Sequence, residues 1–346
     1  MDEHDLMMAL PVPVVVLSGS GHVAAQNARA AELIGVQAVG RHYITALRQP
    51  GLLDGVEAVL ADRQTRVARY RTNDSAGASA WDVTICAAGN AQAVLSFQNV
   101  TAIEEAGERR RDFVANVSHE LRTPLTAIAG MIETLSGPAR DDTNARERFL
   151  AIMAQEAERM QALITDLLHL ARVEDQERVR PTEAVALGDI ITSVAQAMRP
   201  RAEARGVLID ASACNAECMI PGDAAQLRQV FNNLIENAIK YSAPDTVITL
   251  AIGVPSYQSN LRAQGVVIEV CDQGDGIAPH HVARLTERFF RVDNHRSREV
   301  GGTGLGLSIV KHIVNRHRGR LRIESTPGTG SRFTVTLPSE VQIARI

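Results

Sequence analysis

The sequence predicts a multidomain α+β protein: a small α+β unit, then an antiparallel hairpin of two long helices, then an α/β sandwich. Three observations predict it. Short β-rich runs fill residues 1–102. Two long apolar stripes at spacings of three and four occupy residues 103–175. Strand and helix patterns alternate through residues 180–342. A chain of 346 residues is long for one domain, so two or three are expected.

In the first zone, Val14–Leu17, Val67–Tyr70, Trp81–Ile85 and Ala93–Phe97 read as strands separated by polar and glycine-containing turns. A helix is expected around Ala24–Leu33. In the second zone, Val114, Val117, Leu121, Leu125, Ile128, Ile132 and Leu135 trace one face of a long helix. Ser136-Gly137-Pro138 ends it, because glycine and proline suit a helix terminus and the turn beyond. A second stripe runs through Phe149, Met153, Met160, Leu163, Leu167 and Leu170. A lone hairpin leaves an apolar face uncovered. Pairing two hairpins into a four-helix bundle covers it, so a homodimer is expected. Glu174–Glu183 is polar, contains Pro181, and reads as a linker. In the third zone, Ala224–Tyr241 and Gly304–Arg316 read as helices. Val247–Ile252, Val266–Cys271, Leu321–Ser325 and Arg332–Leu337 read as strands.

Composition excludes some classes. Apolar residues make up 45% and charged residues 22%, an ordinary globular balance. The net charge of −4 offers no basic footprint for nucleic acid. Cys214 and Cys218 have no second pair with metal-ligand spacing, so the four cysteines read as free thiols of a reducing cytoplasm. The most apolar N-terminal stretch, Ala9–Leu17, is far shorter than the roughly 20 residues of a membrane span and holds two prolines. No transmembrane segment is expected, and a cytoplasmic location follows.

Four motifs carry chemistry. The first is Phe113-Val-Ala-Asn-Val-Ser-His-Glu-Leu-Arg-Thr-Pro-Leu125. His119 falls between stripe positions Val117 and Leu121, so it points to the helix surface. A lone surface histidine is usually just solvated. Here Glu120 can accept a hydrogen bond from one imidazole nitrogen and leave the other as a nucleophile. Pro124 removes the N–H that would bond the Glu120 carbonyl, a costly choice inside a helix. The second is Gln229-Val-Phe-Asn-Asn-Leu-Ile-Glu-Asn-Ala-Ile-Lys-Tyr-Ser242, which puts Asn233, Asn237 and Lys240 on one helical face. An amide oxygen suits Mg²⁺ and an ammonium suits phosphate; a plain polar face is the alternative. The third is Asp272-Gln-Gly-Asp-Gly-Ile277, directly after an apolar strand. Gly274 and Gly276 permit a tight turn and close approach to a flat ring, and Asp272 is an acceptor suited to an exocyclic amine. The fourth is Gly301-Gly-Thr-Gly-Leu-Gly-Leu307, whose amides and following helix make a phosphate cradle. It is not a P-loop, because no Gly-Lys-Ser/Thr follows. It is not a dinucleotide fingerprint, because no strand leads directly into it.

These motifs, in this order and with Phe289-Phe290 between the two glycine segments, resemble those of sensor histidine kinases of two-component systems across residues 105–340. The subgroup they resemble is that of the phosphate-regulon sensor kinases. Residues 10–100 resemble a PAS sensor domain through Pro13-Val-Val-Val-Leu17, Gly21-His-Val23 and the pattern Asn27 to Gly35. The resemblance implies a C-terminal α/β sandwich of the GHKL ATPase type using ATP and Mg²⁺. It implies that His119 accepts a phosphoryl group with Glu120 as base. An aspartate on the receiver domain of a cognate response regulator then takes that group. Thr123 would orient the water that dephosphorylates the regulator. Asn237 would hold Mg²⁺, with Asn233 and Lys240 near the phosphates. Tyr241 and Asp272 would meet the adenine, with Gly274, Gly276 and Ile277 beside it. Gly302, Thr303, Gly304, Leu305 and Gly306 would belong to the lid over the phosphates, anchored by Phe289 and Phe290. Arg291 is a candidate for the γ-phosphate. Ser308 and Lys311 receive no role. A phosphotransfer adaptor with a degenerate ATP site would lack Asn237, Asp272 or the lid glycines. A chaperone- or topoisomerase-like ATPase would leave the His119 hairpin unexplained.

Overall fold

A computed structural model describes residues 3–74, 77–89, 92–177, 179–214, 218–292 and 302–339. The chain forms two compact units, Met1–Ala115 and Asn116–Ile346.

The first unit is built on an antiparallel five-stranded sheet in the order β2-β1-β5-β4-β3. Its strands are β1 (Val14–Leu17), β2 (Val23–Gln26), β3 (Arg66–Asp74), β4 (Gly77–Ala88) and β5 (Gln92–Asn99). Helices α1 (Glu3–Met8), α2 (Ala28–Ile34), α3 (Tyr43–Leu47) and α4 (Pro50–Asp62) surround it. The expected helix over Ala24–Leu33 is shorter than read. Residues 23–26 pair with β1, and the helix begins only at Ala28. Ala24 and Ala25 favour helix in isolation, but the ladder to β1 outweighs a propensity worth only tenths of a kcal/mol. Asn27 marks the boundary. Its buried amide accepts from the Val14 and Ala30 amides at 3.1 and 2.9 Å and donates to the Val12 carbonyl at 2.8 Å. Leu52, Val56 and Val59 of α4 lie on one helical face and are buried with Val83, Ile85, Leu95 and Phe97 of the sheet.

In the second unit, α5 (Thr101–Ser136), which begins before the unit boundary, and α6 (Thr143–Gln176) form the expected hairpin. Asp142 caps α6 by accepting from the Ala145 amide at 2.9 Å. Glu120 of α5 and Arg159 of α6 stand equally far from the connecting turn and pair at 3.4 Å, as antiparallel neighbours must. Val114, Leu125, Ile132, Leu150, Ile164 and Leu168 on this hairpin stay exposed.

The sandwich contains β7 (Val207–Ala213), β9 (Thr246–Ile252), β11 (Ala263–Cys271), β12 (Arg320–Thr326) and β13 (Gly330–Pro338) in the order β12-β13-β11-β9-β7, with β10 (Ser256–Gln258) beside β11. Among the described strands of this sheet only β7 and β9 run parallel. A small ladder joins β6 (Ala184–Ala186) to β8 (Met219–Pro221). Helices α7 (Leu187–Glu203), α8 (Ala224–Tyr241) and α10 (Gly306–Arg316) form the second layer, with a short α9 (Pro279–Val282). Leu227, Val230, Phe231, Leu234, Ile235 and Ala238 of α8 are buried at helical spacing, so its opposite face is free to carry polar groups.

Apart from β1, the strands expected from the sequence run longer than read, and two helix ends also differ. The last helix starts at Gly306 rather than Gly304, because Gly304 has φ +70, outside the helical region. The segment Glu174–Glu183 is not linker throughout. Helix α6 continues to Gln176, and the Arg316 guanidinium donates to the carbonyls of Gln176 and Val179 at 3.2 and 3.1 Å.

Candidate functional site

His119 is exposed on α5, as its place between stripe positions requires. Glu120 turns towards Arg159 of α6, and the ion pair holds its carboxylate beside the histidine's helical turn. The Thr123 hydroxyl donates to the His119 carbonyl at 3.1 Å. Its proton is therefore spent on the backbone, while its lone pairs can still accept from water.

The polar face of α8 meets the glycine loop. The Asn233 amide donates to the Gly306 carbonyl at 3.3 Å. A Cβ at Gly302 would lie 3.9 Å from Lys240 Nζ, so the ammonium reaches the loop. That ammonium is held by Glu236 at 2.9 Å, and Glu236 also binds Arg201 at 3.1 Å. Among the described residues nothing hydrogen-bonds the half-buried Asn237 amide, which leaves its oxygen without a protein donor. Tyr241 ends the helix with 52% of its surface exposed, a ring available for stacking.

At the end of β11, Asp272 is buried, 8% exposed. One carboxylate oxygen, Oδ1, accepts from the Gly274 and Ser331 amides at 3.0 and 3.1 Å. Burial pushes its carboxyl above the usual range, against the lowering by these two amides. Its second oxygen remains for an external donor. The two glycines that follow are required for a reason the sequence reading did not give. A Cβ on Gly274 would sit 2.1 Å from the Tyr241 carbonyl oxygen, and one on Gly276 would sit 2.0 Å from that of Thr326. Gly276 also has φ +67. The close approach that demands glycine is thus to the protein's own backbone. The Ile277 amide donates to Ser325 Oγ at 2.8 Å and fixes the far side of the turn.

The ends of the lid segment meet. The Phe289 amide donates to the Gly304 carbonyl at 2.9 Å, and a Cβ on Gly304 would lie 2.9 Å from Phe289 Cα. Phe289 itself is left-handed, at φ +63. The Phe290 ring lies under the Arg284 guanidinium at 4.3 Å and beside His281. Between Phe290 and the glycine loop, residues 293–301 lie outside the described residues. Ser308 is buried and donates to the Leu305 carbonyl at 2.8 Å, a structural role, and Lys311 bonds Thr286 at 3.3 Å.

Sequence reasoning missed a second set of contacts, made by the C-terminal half of α6. Asp166 accepts from Thr303 at 2.6 Å, His169 pairs with Gln229 at 2.7 Å, and Glu174 pairs with Arg288. His312 stands 3.4 Å from Glu174 and 3.3 Å from Glu177. The only trace in the sequence is the polar residues of α6 that lie off its apolar stripe.

Below α8 lies a buried imidazole. His317 Nε2 accepts from the Asp223 amide at 3.0 Å, and Nδ1 lies 2.8 Å from the Ile313 carbonyl, which fixes the neutral ring. Burial above all holds its pKa below the ordinary value. The unfolded chain therefore takes up the proton first, and stability falls as pH drops below about 6.5. Thermal unfolding between pH 7.5 and 5.5 should show this loss, with a shallower slope in His317→Gln. Equal slopes would exclude His317 as the cause.

Comparison with known proteins places this geometry. Residues 109–176 match the His Kinase A (phospho-acceptor) domain, and residues 222–341 match the histidine kinase-, DNA gyrase B- and HSP90-like ATPase. The chain belongs to the histidine kinase family. It is 42% identical to the phosphate regulon sensor protein PhoR of Pseudomonas aeruginosa over 246 residues, 71% of this chain and 54% of that protein. It is 39% identical to the sensor-like histidine kinase SenX3 of Mycolicibacterium smegmatis over 229 residues, 66% of this chain and 57% of that one. The chain thus spans about half the length of the curated relatives it matches. Among solved structures, the histidine kinase ThkA, in complex with the response regulator protein TrrA, shares the fold, with a TM-score of 0.52 and 20% identity. The match covers 99% of this chain and 100% of that one. Among the described residues no helix is long and apolar enough to cross a membrane.

Proposed function

We propose that this histidine kinase uses ATP to phosphorylate His119 and passes the group to an aspartate on the receiver domain of a response regulator. The observation that carries the proposal lies within one unit. An exposed helix-surface histidine accompanies a cradle formed by the polar face of α8, the Asp272 turn and the glycine loop. ThkA was solved with such a regulator, and the matched relatives are sensor kinases.

In this reading the Asp272 oxygen left free by the Gly274 and Ser331 amides accepts from the adenine amino group. Tyr241 stacks on the ring, with Gly276 and Ile277 beside it. Asn233, Lys240 and the amides of Gly302, Thr303, Gly304, Leu305 and Gly306 face the phosphates. The Asn237 amide oxygen, which no protein donor occupies among the described residues, would hold Mg²⁺, and the ion when bound would neutralise phosphate charge. The bond between the γ-phosphorus and ADP breaks, and a phosphorus–nitrogen bond forms on His119. Glu120, positioned by its ion pair with Arg159, takes the imidazole proton. The exposed stripe of α5 and α6 supports a homodimer, since a second hairpin would cover it. ATP and a receiver domain both belong to the cytoplasm. The strength of the match to PhoR supports a place among the phosphate-regulon sensors, and the first unit, with its five-stranded antiparallel sheet, suits a PAS-type sensor. The test is incubation with γ-labelled ATP. The label should stay on the protein, labile to acid and stable to base. Free phosphate alone would point to a plain ATPase and overturn the reading.

Thr123 is given a second task, holding the water that hydrolyses the phosphorylated regulator. Thr123→Ala should slow that decay roughly 10- to 1000-fold while His119 phosphorylation continues. The measurement follows loss of label from purified phosphorylated regulator with ADP present. An unchanged rate would leave Thr123 only its bond to the His119 carbonyl.

A further inference from the structure

The glycine loop has two claimants. Lys240 and Asn233 approach it from α8, as a phosphate site requires. Asp166 approaches it from α6, on the phosphotransfer hairpin, and accepts the Thr303 hydroxyl proton at 2.6 Å. That distance marks a strong, charge-assisted bond. Thr303 Oγ1 in turn accepts from the Leu305 amide at 3.3 Å, so the hydroxyl is tied into the loop backbone. Asp166 is half-buried and shares its surroundings with Lys240, Glu236 and His169. Burial pushes its carboxyl up, and Glu236 adds to that, so its anionic form is costly where it stands.

We propose that Asp166 is a latch, a carboxylate on the hairpin that competes with the terminal phosphate of a nucleoside triphosphate for the Thr303 hydroxyl and the positive field of Lys240. This rests on the nucleotide reading above and deepens it. Two anions cannot share one hydroxyl proton, and their charges repel across a poorly screened site. Phosphate binding therefore weakens the hold of α6 on the loop, and the hold of α6 weakens phosphate binding by the same factor. The competition also explains why a carboxylate stands where a phosphate-binding loop would otherwise exclude one. The adenine end, at Asp272, takes no part in it. Asp166 is a positioning residue, because it acts through Thr303.

The test measures binding of the β,γ-imido analogue of ATP with Mg²⁺, and of adenosine, to the full chain by calorimetry. Asp166→Asn removes the charge and keeps the shape. Asp166→Ala removes the acceptor as well and guards against an amide that still holds Thr303. Both variants should bind the analogue roughly 5- to 50-fold more tightly than wild type, a usual span for coupled sites. Adenosine affinity should stay within about twofold, and the KM for ATP in autophosphorylation should fall. Unchanged or weaker analogue binding in the variants overturns the latch. So does an equal gain for adenosine, since altered packing would then suffice. If folded wild-type protein binds neither ligand, the nucleotide reading itself fails, a result distinct from either of these.

Discussion

His119→Gln should reduce acid-labile phosphorylation at least about 10³-fold while ATP affinity stays within about twofold. Glutamine offers no nucleophilic nitrogen, so the phosphorus–nitrogen bond has nowhere to form. The substitution should not disturb the fold. His119 is exposed, and its side chain makes no hydrogen bond among the described residues. Glutamine is also the better helix former, and exposed substitutions of this kind usually stay within about 0.5 kcal/mol. The nucleotide groups, from Asn233 to Gly306, belong to α8, the Asp272 turn and the glycine loop, not to α5. Binding of the imido analogue and incorporation of γ-label would be measured on the same preparation. Persistent acid-labile label in the variant would name another acceptor. A parallel loss of nucleotide affinity would contradict the separation of nucleophile from cradle.

Gly276→Ala should destabilise the ATP-binding sandwich by about 3–5 kcal/mol and abolish nucleotide binding. Two costs combine. A residue with a Cβ at φ +67 pays about 1–2 kcal/mol. The new methyl carbon would also stand 2.0 Å from the Thr326 carbonyl oxygen, and that oxygen belongs to backbone at the end of β12. Relief requires moving the turn away from β12, which breaks the bond from the Ile277 amide to Ser325 and displaces Asp272. Gly302→Ala is the control. Its methyl would make only ordinary contact with Lys240 Nζ, at 3.9 Å, so stability should hold. Denaturant unfolding of both variants gives the comparison. Equal stability of Gly276→Ala and wild type would show that the turn has slack the geometry does not reveal.

These two cases also show what the sequence made legible. Helix α8 could be read to the residue, because Asp223 caps its start and one unbroken apolar stripe follows. Helix α7 could not, since Pro200 near its end and Gly188 at its start both argue against a helix, and tertiary burial of Ile190, Ile191 and Val194 overrides them. In α4, Pro50 suits the first helical position, but Gly51 and Gly55 weaken the helical pattern. Strands β6 and β8 are three residues each and carry no period. At the site, the motifs named the loops that the fold brings beside α8, but the reason for Gly274 and Gly276 was hidden. A clash with Tyr241 or Thr326 depends on segments brought together only by folding. Asp166 was hidden for the same reason, because its partner Thr303 lies 137 positions further along the chain.

The clasp between Phe289 and Gly304 has a consequence for how such a chain can vary. Their hydrogen bond closes the intervening segment into a loop whose ends are fixed by the sandwich itself. The entropy of joining two fixed ends of a chain grows only slowly with the number of residues between them, by about 0.6 kcal/mol for each doubling. Insertions or deletions between the two residues therefore put little load on the sandwich. The length between them can then differ at little cost, whereas Gly304, at φ +70 and with its Cβ position 2.9 Å from Phe289 Cα, must stay glycine.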